Sequence, residues 1–124
     1  MKGRDDYIGT EIAVIGMAGR FPGADDIDAF WRNLRDGVES ITFYSKRELL
    51  EAGGDPELIQ DPDFVPAVPE LRDMDGFDAT FFGLSPRDAA IMDPQHRVFL
   101  ECAWHALEHA GYDSKAFDGS IGIY

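Results

Sequence analysis

Asp93-Pro94-Gln95-His96-Arg97-Val98-Phe99-Leu100-Glu101-Cys102-Ala103-Trp104-His105-Ala106-Leu107-Glu108-His109-Ala110-Gly111 carries a start signal, a periodic body and a stop signal in that order. Asp93 is suited to accept hydrogen bonds from the free N–H groups of a first helical turn. Pro94 fits the first helical position because its missing N–H would have no partner there, and Gly111 readily takes the left-handed conformation that ends a helix. At helical spacing Val98, Phe99, Leu100, Cys102, Ala103, Trp104, Ala106, Leu107 and Ala110 cover more than half the circumference. Arg97, Glu101, His105 and Glu108 share the remaining strip. The pattern predicts one long, mostly buried helix.

A helix this apolar needs layers on several sides, which 124 residues must supply as one piece, 1–124, with no repeat and no internal boundary. The composition, 44% hydrophobic with 28% charged, is that of a globular chain rather than a disordered one. A formal net charge of -13 repels polyanions, so neither nucleic acid nor an anionic membrane is expected as a partner. Cys102 is the only cysteine, so no internal disulfide can form. Met1 to Asp6 lacks the apolar run of a signal peptide, and no apolar stretch is long enough to span a bilayer, so the expected location is cytoplasmic.

Toward the N-terminus, Ile12-Ala13-Val14-Ile15 reads as a short strand buried on both faces. Gly16-Met17-Ala18-Gly19-Arg20-Phe21-Pro22-Gly23 follows without GxGxxG or a GK[ST] ending, so it is no phosphate loop, and its glycines are read as turns needing positive φ. Asp26 caps an amphipathic helix whose Ile27, Phe30, Trp31 and Leu34 are core positions and whose stop is Gly37. A short extended piece at 40–43 precedes a capping box, Ser45 with Glu48, and a short helix closed by Gly53. From Asp55 to Asp75 four prolines break any continuous helix beyond a turn starting at Pro56. This acidic excursion is expected to be a solvated connection.

Phe77, Phe81 and Phe82 return the chain to the core, Ser85-Pro86 starts a helix reaching Ile91, and Ser120 to Tyr124 reads as a second strand. Strand, helical crossover and strand make a βαβ unit, so Ile12 to Ile15 and Ile121 to Ile123 are expected to be neighbouring parallel strands. The sequence ends inside the second of them.

Four motifs in fixed order resemble one family: 12–24 with its Gly-Met-Ala-Gly-Arg-Phe-Pro-Gly-Ala, Phe30-Trp31-Arg32-Asn33-Leu34 with Gly37, 77–87 with its Phe-Phe-Gly-Leu-Ser-Pro-Arg, and Met92-Asp93-Pro94-Gln95-His96-Arg97. Together they resemble the N-terminal part of a ketosynthase domain of a modular type I polyketide synthase, from about Ile12 to the last residue. The resemblance implies an α/β chain that is the N-terminal portion of a thiolase-like fold: an incomplete layered sandwich with a βαβ core and a long buried helix, normally as a homodimer. It also implies decarboxylative Claisen condensation of acyl chains held on the phosphopantetheine arm of an acyl carrier protein, a cysteine being the acyl holder and two histidines assisting enolate formation.

In the family those three residues lie beyond Tyr124. The expectation is therefore that no residue here is catalytic, cofactor-binding or metal-binding, and that the chain, a piece of a larger synthase polypeptide, is inactive alone. Cys102 lies in the long helix rather than in the small-residue motif of the family's nucleophile and reads as a small hydrophobe. Cys102, His105 and His109 fall within one arc at helical spacing, but a fourth metal ligand is not evident. His96 lies near the helix start, toward the core. His105 and His109 depart from the acidic or amide residues usual in the family. A second reading makes the chain a non-catalytic association or scaffolding module of a synthase assembly.

Overall fold

The computed structural model describes residues 9–124; the stretch Met1 to Asp6, read above for a leader, lies outside the described residues. In chain order the elements are α1 (Ile27–Asp36), β1 (Thr42–Phe43), α2 (Lys46–Glu51), α3 (Pro56–Gln60), β2 (Ala67–Val68), α4 (Pro86–Ile91) and α5 (Pro94–Ala110).

The helix ends follow local chemistry. Asp26 accepts from the Ala29 amide at 2.7 Å, and Gly37, at φ 66°, closes α1 in the left-handed region. Ser45 and Glu48 form the reciprocal capping box on α2, and Ser45 N–H donates to Glu48 Oε2 at 2.8 Å. Ser85 and Pro86 open α4. α5 starts at Pro94 behind Asp93, which accepts from the Gln95 amide at 2.8 Å, and ends on Gly111 at φ 76°. Arg35 pairs with Asp36 in the last turn of α1, and the guanidinium holds the Asp36 carboxyl below its ordinary range.

Three sequence expectations are corrected. The βαβ core does not form among the described residues: neither 12–15 nor 121–123 is a strand, and Ile12 is 94% exposed. A strand of this type needs a hydrogen-bonded neighbour and a layer on each face, and the described residues place neither around these segments. For the same reason α5 is half-covered instead of buried, with Phe99 50% exposed. The apolar face of α1 is likewise only partly covered: Phe30 stacks on Phe21 with ring centroids 4.0 Å apart, while Trp31 is 63% exposed. Only Ala24, Ile59 and Ala89 are fully buried hydrophobic residues among those described, too few to close a core.

The excursion is exposed over most of its length, as expected of a solvated connection, yet it carries structure of its own. Ile59 of α3 is buried, and β2 pairs antiparallel with β1 in the register Thr42 to Val68 and Phe43 to Ala67. Tyr44 N–H extends the ladder to Pro66 O at 2.9 Å, and the Tyr44 hydroxyl donates to the Glu70 carboxylate. That bond, with desolvation second and the charges of Glu70 and Glu48 third, pushes the Tyr44 hydroxyl above its ordinary pKa.

Candidate functional site

The groups of interest gather along α5, which the N-terminal segment meets through Gly16 and Met17, Arg20 through Glu101, and Phe81 through Trp104. Along one side Trp104 meets Phe81 edge to face at 4.7 Å between ring centroids, and Phe81 in turn meets Phe82 at 5.0 Å. Gly83, left-handed at φ 69°, turns the chain from these rings toward α4. The three phenylalanines were expected to return the chain to a core; instead they form a half-covered cluster, Phe77 stacked on Phe82 and the exposed Phe81 meeting α5 through Trp104.

On another side the N-terminal segment crosses near the helix C-terminus. Met17 N–H donates to His109 Nδ1 at 2.9 Å, so the imidazole accepts at Nδ1 and carries its proton on Nε2. Gly16 is not in the positive-φ region, contrary to the turn reading, and neither is Gly19; Gly23 is, at φ 70°. What requires glycine at 16 is proximity: an added Cβ would collide with the Ala106 carbonyl oxygen and lie 2.9 Å from the Ala110 Cβ.

Arg20 is the polar centre of this surface. Its Nη1 donates to Glu101 Oε2 at 3.0 Å, and its Nη2 donates to the carbonyl oxygens of Arg72 and Asp73, the latter at 3.0 Å. One guanidinium thereby joins the N-terminal segment, the end of the excursion and α5. Sequence reading missed it, since the only hint is a lone cation in a glycine-rich run. Arg97, a turn earlier on α5, reaches Asp75 O at 3.5 Å, and its Nε is buried without a protein partner.

The residues weighed for chemistry separate into two groups. Cys102, His105 and His109 border one open hollow of about 500 Å³ together with Arg20 and Asp26. Cys102 is half-buried, and no hydrogen-bond partner for it is found among the described residues. His105 and His109 are exposed, and His109 already spends Nδ1 on Met17. Among the described residues no three His, Cys, Asp or Glu side chains assemble in a way that could hold a metal ion. His96 does not face a core: it is exposed in the first turn of α5, apart from that hollow. A nucleophile activated by a base needs the two side chains within hydrogen-bond reach, and Cys102 makes no such bond among the described residues.

The comparisons with known proteins agree on one family. Residues 9–124 match the family described as Beta-ketoacyl synthase, N-terminal domain. The chain is 58% identical over 113 residues to one of the phenolphthiocerol/phthiocerol polyketide synthase proteins of Mycobacterium tuberculosis, a match covering 91% of this chain and 8% of that protein. It is 44% identical over 109 residues to polyketide synthase PksN of Bacillus subtilis, covering 88% of this chain and 2% of that one.

Among solved structures, it resembles ketosynthase twelve of the bacillaene polyketide synthase of Bacillus amyloliquefaciens with a TM-score of 0.68 and 48% identity, over 77% of this chain and 17% of that one. The module 1 ketosynthase of the bacillaene synthase of the same species gives a TM-score of 0.65 and 50% identity, over 81% of this chain and 17% of that one. The chain belongs to the β-ketoacyl synthase family and is the N-terminal part of a ketosynthase domain, a portion of the thiolase-like fold. It spans less than a tenth of the length of these polyketide synthases.

Proposed function

We propose that this chain builds the first part of a ketosynthase that carries out decarboxylative Claisen condensation of acyl chains in polyketide synthesis, and that it contributes packing and not catalytic groups. The observation that carries the reading is the match over residues 9–124 to the N-terminal domain of β-ketoacyl synthases. What supports the division of labour is that the only thiol lies on a helix flank with no base bonded to it among the described residues, and that the three histidines are exposed. Condensation needs a covalent acyl holder, donors aimed at the developing enolate and a water-excluding pocket around both. We assign those to the remainder of the synthase polypeptide. Phosphopantetheine arrives as part of the substrate on an acyl carrier protein, and no residue of this chain is assigned to hold it. The complete domain is a homodimer in the cytoplasm on this reading. No described helix is long and apolar enough to cross a membrane.

A chimera tests the proposal. Residues 9–124 replace the corresponding segment of the 48%-identical bacillaene ketosynthase twelve, and the folded product is assayed with a carrier-bound acyl chain and a malonyl extender. Condensation by the chimera, lost when the recipient's nucleophilic cysteine is replaced, is the expected result. A folded dimeric chimera that never condenses contradicts it.

A further inference from the structure

We propose that Arg20 is a latch that fixes the strap 70–78 across α5, so that the position of the strap depends on one guanidinium 81 residues away from its helical partner. The strap has little else to hold it between Glu70 and Phe77. Its residues from Arg72 to Gly76 are all exposed and contain no regular secondary structure. Asp73 has φ 51°, a left-handed conformation uncommon outside glycine although aspartate takes it more readily than most residues. The two carbonyls that Arg20 grips, those of Arg72 and Asp73, flank that residue's own φ and ψ bonds, so the grip sets the turn.

Magnitudes favour a local role over a global one. The Arg20 and Glu101 side chains retain 18% and 23% exposure, so the pair is neither a freely solvated contact nor a fully desolvated one. Pairs of this kind add little net stability, because desolvation offsets most of the attraction. Geometry is where they are decisive: the planar fork of an arginine serves a carboxylate on one arm and two carbonyls on the other, which the point charge of a lysine cannot do. Arg97 is a poor substitute, since its contact with Asp75 O at 3.5 Å lies at the limit of a hydrogen bond. The latch also shapes the open hollow of about 550 Å³ between the strap and α5, bordered by Arg20, Asp73, Phe77 and Glu101.

Limited trypsin digestion of the full chain reads the latch directly, because the bond after Arg72 uses the very carbonyl that Arg20 holds. Cleavage after Arg72 is followed by mass spectrometry, with cleavage after Lys115 in an exposed loop as the reference and cleavage after Arg97 within α5 as the reporter of helix unfolding. In Arg20→Gln the Arg72 rate relative to Lys115 rises about tenfold while Arg97 stays protected, as for a segment that opens without the rest of the chain. Glu101→Gln, which keeps Arg20 but releases its anchor on α5, shows a smaller rise and stands in if Arg20→Gln does not fold. An unchanged Arg72 rate in the variant that folds, or a rise matched at Arg97, overturns the proposal.

Discussion

Gly16 touches Ala110 where the N-terminal segment crosses the last turns of α5: a Cβ at position 16 would lie 2.9 Å from the Ala110 Cβ and 3.0 Å from its amide nitrogen. The obstacle is largely helix backbone, which cannot rotate away as a flexible side chain would. Gly16→Ala is therefore expected to lower stability by about 1–3 kcal/mol, the usual cost of forcing extra volume into a close contact. It also draws Met17 N–H away from His109 Nδ1. Ala110→Gly in the same chain relieves only part of the loss, because the Ala106 carbonyl remains in the way. Thermal or urea unfolding checks this, and a Gly16→Ala chain as stable as the parent contradicts the packing.

Tyr44 and Glu70 tie the excursion to the end of β1, and the tie has a pH signature. The hydroxyl is raised above its ordinary value of about 10 chiefly because it donates to the Glu70 carboxylate. A raised pKa in the folded chain means the protonated form is the one stabilised by folding. The contribution is complete below the unfolded value and disappears as pH climbs through the folded one. A tyrosine ring-carbon NMR titration, assigned with Tyr44→Phe, is expected to place Tyr44 above the ordinary range and to return it toward that range in Glu70→Gln. A Tyr44 that titrates normally in the parent rules the tie out.

Uncovered apolar residues at both ends of the described chain predict self-association. Val14 is 78% exposed and Ile123 75%, and their segments leave their backbone outside any ladder among the described residues. Such edges and faces pair with whatever apolar surface is available. Light scattering on the 124-residue chain is expected to return a mass above that of one chain, rising with concentration. A stable monomer at high concentration contradicts the expectation.

How much of this was legible in the sequence depended on the range of the interaction. The caps at Asp26, Ser45, Ser85 and Asp93 use partners two or three residues away and were all readable, as were the terminal glycines 37 and 111. The family, too, was readable from motifs in order. The pairing of Thr42 with Val68 was not, because two-residue strands have no periodicity to detect and Pro66 and Pro69 masked the second of them. Arg20 with Glu101 was hidden by separation in sequence, and Gly16 was misread because a glycine chosen for close approach looks like one chosen for a turn. The strands at 12–15 and 121–123 were read from composition, but a strand forms only where a neighbour accepts its hydrogen bonds.

The central claim is that this chain supplies structure to a ketosynthase and no acyl-transfer chemistry, and Cys102 is where it is most exposed to test. The thiol is half-buried, free of disulfide and not hydrogen-bonded to any base among the described residues. Intact-mass spectrometry of the folded chain incubated with an acyl thioester is predicted to show Cys102 unmodified. Rapid, stoichiometric acylation that disappears in Cys102→Ala would contradict the account and place a working nucleophile on α5.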